Sequence, residues 1–293
     1  MSVPSYIIIS PVRNEASFLP GTIESIAGQR IRPRLWIVVN DGSNDDTGRI
    51  AESASSQHPW IRVIHRTDRG FRQAGSGVID AFYDGYKTIS DTAWDFLVKL
   101  DGDVTLKPDY FEACLQRFQT NPKLGIGGGT VCGLFDGELR PEADYDPKFH
   151  VRGATKIYKR DCWEAIGGLI HAPGWDTLDE VKANMLGWET RTFPEIRLHH
   201  HRPAGGAYGG WNNWVKNGLA NYKVGYHPLF MVAKILHRLF QRPYFTMSAG
   251  LFVGFFSGYL RRIPQIEDRA AIRYFRQQQL NRLFGRRSLW DLQ

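Results

Sequence analysis

Short apolar runs alternate with segments of helical periodicity through the N-terminal part of the chain. The apolar runs are nearly continuous, which is typical of strands covered on both faces. Between them, apolar residues recur every three or four positions, which predicts amphipathic helices. Strands that alternate with helices predict an α/β fold with a mainly parallel central sheet. The predicted strands cover 6–10, 35–41, 61–66 and 95–101, and the predicted helices cover 18–29, 45–56 and 77–89.

Polar residues directly follow three of the predicted strands. The first strand leads into SPVRNE (10–15), the second into NDGS (40–43), and the fourth into Asp101-Gly102-Asp103. Each cluster alone is ordinary turn chemistry, since Asn, Asp, Gly and Ser are the usual turn residues. Parallel sheets, however, bind their ligands outside the carboxyl ends of the strands. Three clusters at one edge of the sheet therefore predict a binding site there.

One glycine-rich run needs a separate interpretation. GIGGGT (125–130) lacks the dinucleotide-binding fingerprint and comes too late in the chain for it, and no Walker sequence is present. The run is instead typical of a strand or turn where another part of the chain approaches the backbone closely.

Five segments, taken in order, resemble the family 2 glycosyltransferases, whose GT-A fold is a Rossmann-like nucleotide-diphospho-sugar transferase architecture. The resemblance covers residues 5–205. It implies a metal-dependent, inverting transfer of a sugar from a nucleotide-diphosphate donor, with a UDP-sugar as the expected donor. The matching segments are SPVRNE (10–15), VVNDGSNDDT (38–47), VKLDGD (98–103), RGATKIYKRDCWEAIGGL (152–169) and GWDTLDEVKANMLGW (174–188).

The resemblance assigns a set of residues to the donor nucleotide. It implies that Asp41 binds the base and that Asp101 contacts the ribose or a metal-bound water. Gly102, which has no side chain, would leave room for the nucleotide to lie close to the backbone. An arginine in RGFRQAGSGV would approach the base or the diphosphate; Arg72 is our choice, and Arg69 is the alternative. The remaining donor residues are Pro11, Arg13, Asn14 and Glu15.

A divalent cation is expected beside the diphosphate, because the charge that develops on this leaving group must be compensated. Mn²⁺ or Mg²⁺ fits, since both prefer hard oxygen ligands. The resemblance implies Asp103 as the main ligand, with Asp101 nearby. His200 in LHHHRP (198–203) would add a ligand, and His201 is the alternative. Zinc is disfavoured, because three consecutive residues of an extended chain cannot all point at one ion.

The acceptor side of the site is expected around the segment GWDTLDEVKANMLGW. The family places a catalytic carboxylate near the start of this helix, which implies Asp176 as the base. Asp179 and Glu180 lie three and four residues later on the same helix face and are the alternatives. Gly153 and Trp175 are assigned to the acceptor side, although a core role for the tryptophan is an equal alternative.

The charge of the chain is unevenly distributed. Residues 226–293 contain 11 Lys and Arg against 3 Asp and Glu, whereas residues 1–225 contain 26 against 27. We therefore divide the chain into a catalytic domain, 1–225, and a basic region of amphipathic helices, 226–293. The amphipathic stretch 227–242 and the uncharged stretch 243–260 favour attachment to anionic lipids. A buried helical pair or an oligomer interface is the alternative.

Localisation is expected at the cytoplasmic face of the plasma membrane, in a peripheral or monotopic arrangement. The N-terminus lacks the pattern of a signal peptide, and three scattered cysteines are typical of a reducing compartment. A single span through 243–260 would export the more basic flank, against the positive-inside tendency.

Two enzymatic hypotheses and one binding hypothesis follow. The first is transfer to a lipid-linked or glycan acceptor in cell-surface polysaccharide or glycolipid synthesis. The second is a polyprenyl-phosphate glycosyltransferase similar to dolichyl-phosphate-mannose synthase, whose phosphate nucleophile needs little base catalysis. The third is nucleic-acid binding through the basic tail; it is disfavoured, because the tail lacks a recognisable motif and is unusually apolar.

Overall fold

The structure, a computed structural model, describes residues 4–70, 76–143, 146–202, 210–241 and 244–291. Within these ranges, nine strands form a single sheet in the order β3-β2-β1-β4-β8-β6-β9-β5, with β7 paired to β6. The strands are β1 (Tyr6–Val12), β2 (Leu35–Asp41), β3 (Ile61–Arg66), β4 (Phe96–Leu100), β5 (Val104–Leu106), β6 (Leu124–Phe135), β7 (Glu138–Pro141), β8 (Thr155–Lys159) and β9 (Glu189–His200).

The first four strands, β1 to β4, are parallel, as the alternation of strands and helices predicts. Their side chains alternate between two cores, one on each face of the sheet. On β1, for example, Ile8 belongs to one core, and Ile7 and Ile9 belong to the other. This double burial explains why the strands read as continuous apolar runs. Beyond β4 the sheet is mixed, since β8 pairs antiparallel to β4 and to β6.

Three helices cover one face of the parallel half, and two cover the other. The first face carries α1 (Leu19–Ala27), α2 (Thr47–Gln57) and α4 (Tyr110–Thr120); the second carries α3 (Ser76–Tyr86) and α5 (Arg160–Ile166). The predicted helix 77–89 is divided, because a 3-10 turn, Lys87–Ile89, follows α3. These elements leave the carboxyl ends of β1, β2 and β4 at a common edge.

The glycine run 125–130 forms part of β6, and it allows close approach of neighbouring chain, as the sequence indicates. A Cβ at Gly128 would lie 2.7 Å from the carbonyl oxygen of Thr155, and one at Gly125 would lie 2.5 Å from Cys162 Sγ. Glycine is therefore required here for packing between the strand and its neighbours.

From residue 175 onward, the described part of the chain is mainly helical, apart from β9. Its helices are α6 (Trp175–Met185), α7 (Gly210–Lys223), α8 (Pro228–His237), α9 (Thr246–Leu260) and α10 (Arg269–Leu283). A separate core joins Tyr222 of α7, Met231 and Ile235 of α8, and Leu251 and Phe255 of α9. This helical cluster therefore includes α7, which precedes the expected domain boundary at residue 226. No helix in the described ranges is both long enough and apolar enough to cross a bilayer.

Candidate active site

The acidic turn that follows β4 lies on the sheet edge where the sequence places it. Asp101, Gly102 and Asp103 connect β4 to β5, and the hydroxyl of Thr22 on α1 lies 2.8 Å from the carbonyl oxygens of both Gly102 and Val104. A Cβ at Gly102 would lie 2.6 Å from Val12 Cγ1. The glycine therefore lets the turn pack against β1, which is a structural requirement in addition to any role beside a nucleotide.

Asp101, Asp103 and His200 form a cluster of metal-ligating side chains. Each offers one ligand atom, and these atoms all lie within 4.8 Å of one another. Asp103 and His200 are buried, whereas Asp101 is half-buried. His200 arrives from β9, which pairs with β5 so that Val104 lies opposite His200. The two carboxylates are hard oxygen ligands of the kind that Mn²⁺ and Mg²⁺ prefer, so the donor set could hold the expected cation.

His201, the alternative ligand, is turned away from this cluster. Its ring Nε2 lies 2.7 Å from the hydroxyl of Thr105, and its ring stacks on Phe18 with centroids 5.4 Å apart. Successive side chains along a strand point to opposite faces, so His200 and His201 cannot both face one ion. The structure thus brings His200, rather than His201, to the two aspartates.

Charged groups around the cluster shift the pKa values of His200 and Glu15. Burial by itself would lower the pKa of His200, but its hydrogen bonds to Asp103 and Glu142 raise that pKa to about 10. The pKa of Glu15 is raised to about 7 by burial and by Asp103, despite the ion pair between Glu15 and Arg202. Arg202 Nε also lies 3.0 Å from Asp103 Oδ2. The raised pKa values of His200 and Glu15 both reflect the carboxylates around them, which disfavour further negative charge and favour positive charge.

The donor residues of the first two loops are held together by hydrogen bonds. Asn14, which has a φ of 55°, donates from its backbone N–H to Ser43 Oγ at 3.0 Å and accepts from the backbone N–H of Asn44 at 3.0 Å. Asparagine tolerates this left-handed conformation better than most residues. Gly42 has a φ of 67°, and a Cβ there would lie 2.5 Å from Asp68 Cα. The loops after β1 and β2 therefore form one surface. Pro11 lies near the end of β1, and the side chain of Glu15 is buried.

Asp41 ends β2 at this surface, and arginines surround it. Its carboxylate accepts hydrogen bonds from Arg66 and Arg69, and its backbone carbonyl accepts one from Arg13 at 2.6 Å. The alternative arginine of the sequence analysis, Arg69, thus contacts the expected base-binding residue. Arg72 lies outside the described residues.

The start of α6 brings Asp176 beside the strand ends. Asp176 is half-buried in the first turn of the helix, and its backbone carbonyl accepts a hydrogen bond from the buried Lys156 Nζ at 2.5 Å. The two alternatives, Asp179 and Glu180, are fully buried. Of these three carboxylates, only that of Asp176 is accessible to a substrate.

Asp179 and Glu180 belong to a buried polar network instead. Asp179 accepts hydrogen bonds from Lys156 at 2.8 Å and from the hydroxyl of Tyr158 at 2.6 Å. Glu180 accepts from the backbone N–H of Val151 at 2.6 Å and lies 2.7 Å from Lys156 Nζ. Burial raises the pKa of Asp179 to about 6, while Asp179 and Glu180 together outweigh burial and raise the pKa of Lys156. The network anchors α6 to β8 and so fixes where Asp176 lies.

Gly153 and Trp175 lie next to Asp176. A Cβ at Gly153 would lie 3.0 Å from the Trp175 ring and 3.6 Å from Asp176 Oδ2. The Trp175 ring is only 6% exposed, and the ammonium groups of Lys99 and Lys156 lie 5.5 and 5.6 Å from its ring. This geometry favours the core alternative for the tryptophan, since little of its face is open to a sugar.

Comparison with known proteins identifies the family to which this arrangement belongs. The sequence profile of glycosyl transferase family 2 matches residues 7–164, which is more than half of the chain. The chain belongs to glycosyl transferase family 2. The match includes the loops after β1, β2 and β4, and it ends before Asp176 and His200.

Two curated relatives cover part of this glycosyltransferase. It is 30% identical over 125 residues to the chondroitin synthase of Escherichia coli, a match that covers 42% of this chain and 16% of the synthase. It is 28% identical over 127 residues to the undecaprenyl-phosphate mannosyltransferase of Micrococcus luteus, covering 43% of this chain and 49% of the relative. The chain thus spans less than half the length of either relative.

A solved structure shares the fold over most of the glycosyltransferase. Mannosyltransferase PcManGT from Pyrobaculum calidifontis, determined in complex with GDP-Man and Mn²⁺, superposes with a TM-score of 0.60 and covers 89% of both chains. The sequence identity is 17%, so the likeness concerns the fold. The GT-A fold expected from the sequence is therefore confirmed.

Sequence reasoning missed several charged residues of the candidate site, including Arg66, which contacts Asp41, and the three described next. Lys99 is 3% exposed and contacts both the Asp101 carboxylate and the backbone carbonyl of Gly153. Lys156 anchors α6, and Glu142 contacts His200. A signal existed for the two lysines, because lysine is rarely placed in a buried strand unless it is paired. No sequence signal marked Glu142, whose partner is 58 residues away along the chain.

Proposed function

We propose that this glycosyltransferase transfers a sugar, with inversion, from a nucleotide-diphosphate donor to a lipid-linked or glycan acceptor in cell-surface polysaccharide or glycolipid synthesis. The observation that carries the proposal is the cluster of Asp101, Asp103 and His200 on the edge that also carries Asp41. UDP is the expected nucleotide by family resemblance. Because PcManGT was solved with GDP-Man, both nucleotides belong in the test.

Asp103, Asp101 and His200 would hold the cation. When bound, Mn²⁺ or Mg²⁺ compensates the charge of the departing diphosphate. Asp41, Asn14 and the surrounding loops would hold the nucleoside. The half-buried carboxylate of Asp176 would accept the proton of the acceptor hydroxyl as its oxygen bonds to the anomeric carbon and the bond from that carbon to the diphosphate breaks.

The proposal is tested by measuring turnover of a panel of UDP- and GDP-sugars with Mn²⁺, with Mg²⁺ and with EDTA. We expect turnover of at least one donor, loss of that turnover in EDTA, and recovery on adding metal. Asp103→Ala should lose turnover by roughly 10²-fold or more, since it removes a ligand from the site of charge compensation. Absence of metal-dependent turnover and of nucleotide-diphosphate binding would refute the proposal.

The second candidate is transfer to a polyprenyl phosphate. It is supported by the similarity to the undecaprenyl-phosphate mannosyltransferase and by an unusual surface on α8. Leu229, Val232 and Leu236 lie along one side of α8, and Phe240 follows; these four residues, 40–74% exposed, are the apolar stripe. A helix in water normally presents polar residues on its exposed side. An exposed apolar stripe suits contact with acyl chains.

The apolar stripe also supports peripheral attachment at the cytoplasmic face of the membrane. The rings of Phe240 and Phe245 lie 6.1 Å apart, and Phe245, Phe252, Val253 and Leu260 extend the exposed apolar surface along α9. Exposed arginines follow α9 at Arg261 and Arg262. Apolar residues bordered by arginines are complementary to anionic lipid headgroups and the acyl chains beneath them. Nucleotide sugars are cytosolic, so we place the catalytic domain on that side.

A further inference from the structure

We propose that Glu142 is a positioning residue that orients His200 toward the metal. The inference rests on the proposed function, because it concerns the same metal site. Glu142 follows β7, its carboxylate is 4% exposed, and its Oε1 lies 2.7 Å from His200 Nδ1. On the other side of the ring, His200 Nε2 lies 3.5 Å from Asp103 Oδ1. The imidazole therefore lies between a buried carboxylate that is not in the ligand cluster and one that is.

This arrangement determines which ring nitrogen is available as a ligand. Once a cation displaces one ring proton, an imidazole that donates its Nδ1–H to a carboxylate has its lone pair on Nε2, and the negative partner makes that nitrogen a better ligand. In His200 the Nε2 atom is the one that faces Asp103. Glu142 thus selects both the tautomer and the ring orientation that the cluster needs.

The position of Glu142 is itself fixed. Its backbone N–H donates to the carbonyl of Val131 at 3.1 Å, which continues the pairing of β6 with β7. Its Oε2 lies 3.1 Å from Arg152 Nη2, and Arg152 Nη1 lies 3.8 Å from Asp146 Oδ2. Among the described residues, that Oε2 atom has no hydrogen bond of acceptable geometry. The hydrogen bond to His200 is thus the main side-chain hydrogen bond of a buried carboxylate, which indicates that the pair acts as a unit.

The inference is tested by titrating Mn²⁺ into the full chain, with and without UDP or GDP, and measuring free Mn²⁺ by electron paramagnetic resonance. Glu142→Gln keeps an oxygen acceptor and removes the charge, whereas Glu142→Ala removes both. We expect Mn²⁺ affinity to fall by roughly 10–100-fold in the alanine variant, and by less in the glutamine variant. The matched control is Glu138→Gln on the same hairpin. The Glu138 carboxylate is 71% exposed and pairs only with Arg140 among the described residues, so the Mn²⁺ affinity of this variant should equal that of wild type.

A second readout separates positioning from a structural role. In Mg²⁺-loaded wild-type protein, the ¹⁵N spectrum of the histidine rings should show His200 protonated at Nδ1, and Glu142→Ala should give mixed tautomers. Circular dichroism in EDTA identifies a variant that fails to fold. If Glu142→Ala fails to fold, the Mn²⁺ affinity and the ¹⁵N spectrum of Glu142→Gln test the inference instead. Unchanged Mn²⁺ affinity and an unchanged tautomer in a folded variant would overturn this inference but not the proposed function. If wild-type protein binds no Mn²⁺ under any condition, the proposed metal site fails, and this inference fails with it.

Discussion

At the scale of single residues, the site depends on which carboxylates remain reachable. Three acids near the start of α6 have similar sequence contexts. Asp179 and Glu180 form buried ion pairs with Lys156, whereas Asp176 is only half-buried. Carboxylates this deeply buried are tolerated because they are paired and hydrogen-bonded. Their role is to fix the helix from which Asp176 projects.

Asp176→Asn distinguishes the two acceptor classes. If the nucleophile is a sugar hydroxyl, we expect kcat to fall by roughly 10²–10⁴-fold, because general-base assistance is lost. If the nucleophile is a phosphate oxygen, kcat should hardly change, since that oxygen is already anionic. The measurement is sugar transfer to a lipid-linked glycan and to undecaprenyl phosphate.

The matched control for this experiment is Asp161→Asn, which changes an exposed acid in the first turn of α5. Its kcat should equal that of the wild type with either acceptor. Equal losses in both variants would show that Asp176 acts only through general electrostatics or folding.

His150 gives the protein a stability that depends on pH. Burial by itself would lower its pKa, but Glu180, whose carboxylate lies 2.9 Å from Nδ1, together with Asp146 and Asp176, raises it to about 9. Because the folded state binds this proton more tightly, the contribution is complete below pH 6.5 and is lost as the pH rises through 9. The loss should amount to roughly 1–3 kcal/mol in the free energy of unfolding.

We expect this loss to disappear in His150→Gln, measured by urea unfolding between pH 6 and 10. The comparison with wild type is needed because Lys234 changes the stability in the opposite direction. Burial lowers the pKa of Lys234 to about 7, so its contribution to the free energy of unfolding increases as the pH rises above that value. His237→Gln, at an exposed position on α8, should keep the wild-type dependence on pH. A parallel response in His150→Gln and wild type would contradict the assignment.

At the scale of elements, the periodicity of the sequence predicts the helices and strands well where burial is regular. The strands β2 and β3 have the predicted bounds, and α1 and α2 lie within a few residues of theirs. The uncharged stretch 243–260 contains helix α9, which begins at Thr246. Its glycines Gly250 and Gly254 are in contact with α7, where a Cβ would meet Trp214 or backbone.

Gly254→Ala should weaken the packing of α9 against α7, because the new Cβ would overlap the backbone carbonyl of Val215. Overpacking of this kind costs roughly 1–3 kcal/mol, despite the better helix propensity of alanine. The control is Gly210→Ala at the start of α7, where nothing lies within 4 Å of the new Cβ. Thermal unfolding should show a lower Tm for the first variant only. A Tm equal to that of the control would mean that the two helices can move apart freely.

At the scale of the whole molecule, basic charge and exposed apolar surface occur together in the C-terminal region. Within the described ranges, most of the exposed large apolar residues lie beyond residue 210, while Leu134, Phe135 and Leu139 form a separate group on the β6–β7 hairpin. The body of the protein is nearly neutral, and residues 226–293 carry the excess of Lys and Arg. The C-terminal region therefore carries both features that the proposed membrane attachment requires.

Leu236→Asp should therefore reduce sedimentation of the protein with anionic liposomes by several-fold, since it places a charge in the apolar stripe. The matched control is Leu134→Asp on the hairpin, because Leu134 and Leu236 are both 60% exposed. Raised salt should weaken binding of all three proteins. If wild-type protein ignores liposomes and Leu236→Asp instead changes its oligomeric state, the stripe is an interface between copies of this chain.

The sequence by itself determined the α/β class, the positions of the first four strands along the chain and the three polar loops at one sheet edge, because strand burial and turn chemistry are local properties. With the family resemblance, it also limited the expected metal ligand to one of two neighbouring histidines. Only the tertiary structure showed that His200, rather than His201, lies beside Asp101 and Asp103, and that Asp179 and Glu180 are buried. It also brought Glu142 to His200 across 58 residues of chain. These outcomes depend on strand register and on packing between distant segments, which no local pattern encodes.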